Sequence, residues 1–251
     1  ALEAPLVVRL ASHAKCAVDS SGPLPQQLDD AMAAEPSLEG SWVKGPIASP
    51  GQAVVRQKAV LFVLDASGSM AGGYLAKCKG SIHNIIDNYT NEADLIGFLA
   101  FAHFTKEIFP LLPKKGNYDM MKQAVSGVNT FGGTAFYDAV MDGLNAIKKL
   151  PDAVPKWVVA LTDGADGHSK RDNGEQGCRL LREVPKANMA VITVGELPQA
   201  TIRVVQSYVT AAASCGHQGL HIVASDTQKI AEAFEKIATL MAEDPGLAEH
   251  L

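Results

Sequence analysis

The sequence predicts an α/β domain: a doubly wound, mostly parallel sheet with helices on both faces and a small N-terminal extension. From residue 60 onward, short apolar runs of strand length alternate with longer segments of helical periodicity, the order typical of parallel strands joined by crossover helices. Residues 60–64 and 157–161 are apolar throughout, as strands buried on both faces are. Each of these runs leads into an aspartate followed closely by glycine, and ligands of open α/β sheets bind beyond the carboxyl ends of such strands.

Six strands are predicted in the main part of the chain. They are residues 60–64, 95–103, 107–112, Lys156–Thr162, 189–194 and 220–224. The third contains Pro110 and is followed by Pro113. Because proline cannot donate a hydrogen bond to a neighbouring strand, this strand is predicted to lie at an edge of the sheet.

Six helices are predicted between and after these strands. They are residues 74–89, 120–128, 135–150, 175–184, 201–214 and Thr227–Glu243. In the first helix, Leu75, Cys78 and Ile82 recur at helical intervals, so Cys78 is expected to be a small buried hydrophobic residue. Ser225 and Gln228 have the spacing of a capping box at the start of the last helix.

The predicted domain organisation has three parts: an N-terminal extension at residues 1–53, the main domain at 54–244 and a C-terminal tail at 245–251. In the extension, residues 6–10 are a candidate strand, and a connector rich in proline, serine and glycine follows. Residues 53–56 can pair with that strand to form a small β appendage.

Composition excludes several classes of function. A chain of 251 residues with 47% hydrophobic residues suits one α/β domain with an appendage. The net charge of −5 and the absence of any basic cluster longer than a lysine pair argue against a nucleic-acid surface. No apolar stretch approaches the ~20 residues that a membrane-spanning helix needs. The four cysteines are widely spaced and form no C-x-x-C pair. The sequence does not determine the cellular compartment, and it slightly favours the cell interior.

Five short polar residues form a candidate site for one divalent cation. Asp65, Ser67 and Ser69 follow the strand at 60–64, Thr134 follows two glycines, and Asp163 follows the strand at Lys156–Thr162. Carboxylate and hydroxyl oxygens are hard ligands that suit Mg²⁺ or Mn²⁺. The alternative is that the two serines merely cap the next helix, because serine is a favoured N-cap residue.

The D-x-S-x-S run at Asp65, Ser67 and Ser69 resembles the metal-ion-dependent adhesion site of von Willebrand factor A domains, and Thr134 and Asp163 stand in the order and contexts of that family's other two ligands. The resemblance extends over residues 53–244. It implies a protein-binding module whose metal ion is completed by an aspartate or glutamate of a protein partner. Only two of the five ligands are anionic, so the bound dication would be just neutralised and would still attract such a carboxylate.

The alternative function is a metal-dependent enzyme, or an accessory subunit of an ATPase-type complex such as those in which related domains serve. A serine hydrolase is disfavoured because the frame G-x-S-x-G is absent, and no phosphate-binding glycine motif is present. Cys215, His217 and His221 form a C-x-H-x₃-H pattern without an apparent fourth metal ligand.

Further polar residues are predicted near the strand ends on the metal side. They are His103, Asp138, Asp166, His168 and Asp172. Each is expected to be a solvated loop residue and not a ligand.

Overall fold

A computed structural model describes residues 7–10 and 57–243 of the chain. These residues form one seven-stranded sheet in the order β1-β7-β6-β5-β2-β3-β4. The strands are β1 (Val7–Leu10), β2 (Ala59–Asp65), β3 (Leu95–Phe101), β4 (Thr105–Pro113), β5 (Lys156–Thr162), β6 (Ala187–Val194) and β7 (Gly219–Ala224). Five strands run parallel, whereas β4 pairs antiparallel with β3 and β1 pairs antiparallel with β7. The mostly parallel α/β fold predicted from the sequence is therefore confirmed.

Six helices cover the two faces of the sheet. They are α1 (Tyr74–Asn88), α2 (Tyr118–Ser126), α3 (Phe136–Lys148), α4 (Glu175–Glu183), α5 (Gln199–Ser214) and α6 (Thr227–Glu243). The apolar faces of α1, α2 and α6 pack in one core cluster, and those of α3, α4 and α5 pack in a second cluster. None of the helices within residues 57–243 is both long and apolar enough to cross a membrane.

The central strand β2 explains why the core has two layers. All seven of its residues are buried. Because successive side chains of a strand point to opposite faces, Phe62 and Leu64 belong to the first cluster while Leu61 and Val63 belong to the second. Burial on both faces is what its uninterrupted apolar run predicts.

The switch point of the sheet lies between β2 and β5. The chain proceeds from β2 through β3 to β4 on one side and then crosses to β5, which pairs with the other edge of β2. Loops at the carboxyl ends of these two parallel strands therefore diverge and leave a crevice between them. Asp65 is the last residue of β2, and Asp163 directly follows β5.

The sequence-based assignments hold for the elements that flank this crevice. All six predicted strands and six predicted helices are present, with shifts of a few residues at their ends. β4 lies at an edge of the sheet, as its prolines predicted. Cys78 is fully buried, and the described cysteines, Cys78, Cys178 and Cys215, carry free thiols.

The N-terminal strand has a partner that the sequence did not indicate. The strand predicted at residues 6–10 is present as β1, and it pairs with β7. Its expected partner, residues 53–56, lies outside the described residues, as do the boundary at 53/54 and the tail at 245–251. The domain boundaries therefore remain predictions.

The capping box predicted for α6 is wrong in its residues. The Asp226 carboxylate accepts hydrogen bonds from the backbone N–H groups of Gln228 and Lys229, at 2.8 and 2.9 Å, and Ser225 Oγ donates to the same carboxylate. α6 begins at Thr227, so Asp226 occupies the N-cap position, and its charge also complements the positive end of the helix dipole.

Candidate metal centre

Asp65 is fixed at the bottom of the crevice by contacts from both sides. It is fully buried. Its Oδ1 accepts the backbone N–H of Ser67 at 2.8 Å, and its Oδ2 accepts the hydroxyl of Thr162 at 2.7 Å. Thr162 is the last residue of β5, so the contact joins the ends of the two strands at the switch point. Sequence reasoning missed Thr162; its place directly before Asp163 is the signal that could have identified it.

The two serines connect the ends of β2 and β5. Ser69 Oγ donates to Asp163 Oδ1 at 2.7 Å, and Ser67 Oγ lies 3.0 Å from Ser69 Oγ. Because a hydroxyl has one hydrogen, Ser67 is the donor to Ser69. Neither side chain caps a helix: Ser67 makes no capping hydrogen bond to the short 3₁₀ turn Gly68–Met70, and Gly73 precedes α1. The Ser69 hydroxyl is directed to the Asp163 carboxylate instead, and the Ser67 hydroxyl is directed to Ser69.

Thr134 reaches the same crevice on the loop between α2 and α3. This loop is attached to the segment after β2, because the Phe131 N–H donates to the Ala66 carbonyl at 2.7 Å and the Gly68 N–H donates to the Gly132 carbonyl at 3.1 Å. Thr134 is buried. A β-carbon on Gly164 would lie 3.1 Å from Thr134 Oγ1, so this hydroxyl lies beside the residue that follows Asp163. All five predicted residues are therefore brought to one crevice.

Two histidines lie directly on the glycine loop. A β-carbon at Gly132, whose φ is +60°, would overlap the ring of His103, and one at Gly133 would overlap the ring of His168. The backbone N–H of Thr134 donates to His168 Nδ1 at 3.3 Å. Both histidines are exposed, as predicted, but each also packs on the loop that carries Thr134. A larger residue at either position would require the histidine ring to move, and at Gly132 it would also have to adopt a left-handed backbone conformation.

The expectation that the nearby aspartates are solvated is wrong for Asp138 and Asp172, whereas Asp166 is partly exposed. Asp138 and Asp172 are only 6% and 8% exposed. Asp138, in the first turn of α3, accepts the backbone N–H groups of residues 170–172. Asp172 accepts the N–H groups of three residues at the start of α4, and Asp166 accepts the N–H of Tyr137 and both N–H and hydroxyl of Ser169. These carboxylates fix the segment between Asp163 and α4 onto α3.

Burial makes the two carboxylates of the crevice costly to ionise without a cation. It raises the pKa of Asp65 to about 6, although hydrogen bonds from Ser67 and Thr162 oppose the shift. Burial also raises the pKa of Asp163, against a hydrogen bond from Ser69. A cation between these groups would compensate the lost hydration. Two carboxylates and three hydroxyls are the donor set of a hard divalent ion, so the residues present fit a metal ion of this class.

The rival metal cluster is not assembled. Within residues 57–243, no group of three or more His, Cys, Asp or Glu side chains is arranged to hold a metal ion. Cys215 is exposed just after α5, with its Sγ 3.9 Å from the Arg182 carbonyl, whereas His221 is buried in β7 with Nε2 2.8 Å from Thr193 Oγ1.

Comparison with known proteins shows to which family the region around the crevice belongs. A family model described as the von Willebrand factor type A domain matches residues 59–238. Inter-alpha-trypsin inhibitor heavy chain H4 of Bos taurus is 30% identical over 116 residues, which are 43% of this chain and 12% of that protein. The magnesium-chelatase 67 kDa subunit of Chlorobaculum parvum is 29% identical over 106 residues, 41% of this chain and 17% of that protein. The chain thus matches less than a fifth of either relative's length.

Solved structures give the same fold. A von Willebrand factor type A structure from Catenulispora acidiphila superposes with a TM-score of 0.60 at 16% identity, covering 74% of this chain and 43% of that one. Proximal thread matrix protein 1 from the mussel byssus, with a zinc-occupied metal-ion-dependent adhesion site, superposes with a TM-score of 0.58 at 22% identity, covering 74% and 46%. At these identities the likeness concerns the fold alone.

Proposed function

Because this chain belongs to the von Willebrand factor type A family, we propose that it is a protein-binding module that holds its partner through a divalent cation. Members of the family are commonly metal-dependent protein-interaction modules and are generally not catalytic. The proposed metal ligands are Asp65, Ser67, Ser69, Thr134 and Asp163. The proposed cation is Mg²⁺ or Mn²⁺, and the proposed partner group is the carboxylate of an aspartate or glutamate.

One observation carries the proposal: oxygens from three separate segments converge at the switch point of the sheet. Ser69, after β2, donates its hydroxyl to Asp163, after β5, and the Thr134 hydroxyl lies beside Gly164. Ligand binding is typical of this place in α/β folds. The zinc ion in the mussel byssus structure supports a divalent cation in a site of this kind.

The distribution of exposure indicates the side from which a partner would approach. Asp65 and Ser67 are 0% and 2% exposed, whereas Ser69 is exposed and Asp163 is half-buried. Asp65 and Ser67 would therefore hold the inner side of the ion, and the solvent side would open near Ser69 and Asp163. Since five protein oxygens would leave one position of an octahedral ion open, a carboxylate oxygen from a partner would be a suitable hard ligand for it.

A second candidate function is an accessory role in a larger enzyme. It is favoured by the match to a magnesium-chelatase subunit, and it also requires a partner protein. A catalytic role for this chain itself would require metal-dependent turnover. We expect none with phosphate, ester or peptide substrates in Mg²⁺ or Mn²⁺, and turnover abolished by Ser69→Ala would instead favour an enzyme.

Capture of partners from native extract, with the full chain immobilised in Mg²⁺ or in EDTA, tests the proposal. Captured proteins should be released by EDTA and should be absent when Asp163→Ala replaces the wild type. Asp87→Ala is the matched control, because Asp87 is a surface carboxylate of α1 that contacts Tyr118 and Lys122. Partners retained equally in EDTA, or equally by the Asp163→Ala variant, would contradict the proposal.

A further inference from the structure

Three aromatic rings cluster on the surface beside the crevice. Phe104 is 50% exposed, more than any other large hydrophobic residue described. Its ring centroid lies 4.7 Å from that of His103 and 5.3 Å from that of Phe131, and the latter two are 6.2 Å apart. Single exposed apolar residues are normal on protein surfaces, but a contiguous cluster is more often an interaction site. We call His103, Phe104 and Phe131 the aromatic shelf.

The aromatic shelf is attached to the same backbone as the candidate metal ligands. The Phe131 N–H donates to the carbonyl of Ala66, which lies between Asp65 and Ser67. The ring of His103 packs on Gly132, whose carbonyl accepts the N–H of Gly68, between Ser67 and Ser69. The shelf therefore borders the crevice at a fixed position, within reach of one short extended segment of a partner.

A concave site continues from the shelf, between β4 and the loop after α2. It has a volume of about 400 Å³, within the range of sites that accept ligand groups. Its lining is mixed: apolar side chains such as Ile108 and Phe131 offer a contact surface to an apolar side chain, and Asn129 and Thr130 are among the polar lining residues. Its lining includes Lys106, Glu107, Ile108, Ala124, Val128 and Phe131.

We propose that the aromatic shelf and this cavity select the partner: they bind an aromatic or large aliphatic side chain that neighbours the carboxylate taken by the metal ion. The inference rests on the proposed function. The occupant is an extended segment of a partner protein with one acidic and one large apolar residue. The cation determines the acidic residue by charge complementarity, and the exposed rings determine the apolar one, because aromatic and large apolar anchors seated in pockets contribute most of the energy of an interface.

Selection from a random-peptide display library tests this inference. The full chain is immobilised in MgCl₂, and bound peptides are eluted with EDTA and sequenced. We expect peptides with one aspartate or glutamate and one large apolar residue at a constant spacing. The Phe104→Ala variant should retain the acidic preference and should show a clearly weaker apolar one, because Phe131 and the cavity remain. Tyr118→Ala is the matched control, since Tyr118 is an exposed aromatic residue (38%) on α2 and should select the same peptides as the wild type.

Affinities of single selected peptides give the magnitude. Replacing the apolar residue of a peptide by alanine should weaken its binding to the wild type about tenfold, as the loss of an anchor does. The same replacement should weaken binding to Phe104→Ala by a smaller factor, because only part of the apolar contact remains in that variant. Selection of acidic peptides without an apolar preference would overturn the inference and leave the proposed function standing. Apolar peptides that EDTA does not release would also overturn it, and no enrichment at all would count against both.

A second copy of the chain is the competing occupant. Sedimentation velocity measures self-association of the wild type and of the Phe104→Ala variant. We expect the two proteins to have the same oligomeric state. A dimer that depends on Phe104 would assign the aromatic shelf to contacts between copies and would overturn the inference.

Discussion

Replacing Asp138 by asparagine should destabilise the fold by about 3 kcal/mol, because its carboxylate is a buried acceptor for several donors. Oδ1 accepts the N–H groups of Arg171 and Asp172, both at 2.9 Å, and Oδ2 accepts the N–H of Lys170 at 3.0 Å and Nε of Arg171 at 3.4 Å. An asparagine keeps one oxygen and directs an NH₂ group at the donors of the other. Two hydrogen bonds to a charged group are then lost, at ~1.5 kcal/mol each.

The matched control for this prediction is one turn further along α3. Asp142 forms two hydrogen bonds to the Arg171 guanidinium, both of 2.7 Å, but its side chain is 28% exposed. A surface ion pair contributes only ~0–1 kcal/mol, so Asp142→Asn should change stability little. Urea unfolding of the two variants and the wild type, followed by circular dichroism, measures the difference.

The pH dependence of Asp138 gives a second readout. Burial opposes its ionisation, but the three backbone N–H donors and Arg171 hold its pKa below the usual value. Because the folded pKa lies below the unfolded value of about 3.9, its contribution is complete above that pH and is lost as pH falls through the folded pKa. The difference between wild type and Asp138→Asn should therefore shrink below about pH 4.

Loss of the Asp138 contacts should also weaken Mg²⁺ binding, because these contacts hold the segment that begins with Asp163. Titration calorimetry should show a several-fold weaker affinity for Asp138→Asn and an unchanged one for Asp142→Asn. Equal stability of the two variants, or a destabilisation by Asp138→Asn that does not depend on pH, would refute this reasoning.

Three further outcomes are expected. Mg²⁺ at a hundredfold excess over its dissociation constant should stabilise the wild type by ~2.7 kcal/mol and should not stabilise Asp65→Ala. Thermal unfolding with and without the ion measures this effect. Equal stabilisation of both proteins would show that Asp65 is not a ligand. Thr134→Ala should reduce partner capture in Mg²⁺ by more than its loss of fold stability, measured as the unfolding temperature, can explain. Capture as strong as that of the wild type would contradict the ligand role of Thr134. Gly132→Ala should cost more stability in urea unfolding than Gly116→Ala, because both have positive φ but only Gly132 would meet a side chain, the ring of His103; equal losses would leave only backbone strain of ~1–2 kcal/mol.

The features that the sequence predicted well are those encoded within a short segment. The apolar run of β2 determines its burial on both faces, and the prolines of β4 determine its place at an edge. Asp65, Ser67 and Ser69 are adjacent in the chain, so the turn after one strand brings them together. Thr134 and Asp163 were predicted through a family pattern, and the structure brings both to the crevice beside Asp65.

The features that the sequence did not predict depend on partners distant in the chain. Asp138 is buried because residues 170–172 lie over it, and no local sequence pattern distinguishes it from the partly exposed Asp142. The pairing of β1 with β7 likewise joins segments more than two hundred residues apart. Asp226 was missed for a different reason: Ser225 satisfies the spacing rule of a capping box, but α6 begins at Thr227, so that Asp226 is the residue in the N-cap position.

The contacts at the crevice link residues that are far apart in sequence: Ser69 and Asp163 are separated by 94 positions, and Asp65 and Thr162 by 97. In the unfolded chain these groups do not stay together, since closing loops of such length is entropically unfavourable. A cation therefore cannot act as a template that starts folding, unlike ions bound by one short loop. The fraction of chains that bind the cation would instead follow the fraction in which the sheet is folded. Any mutation that unfolds the domain would therefore also abolish its metal-dependent binding.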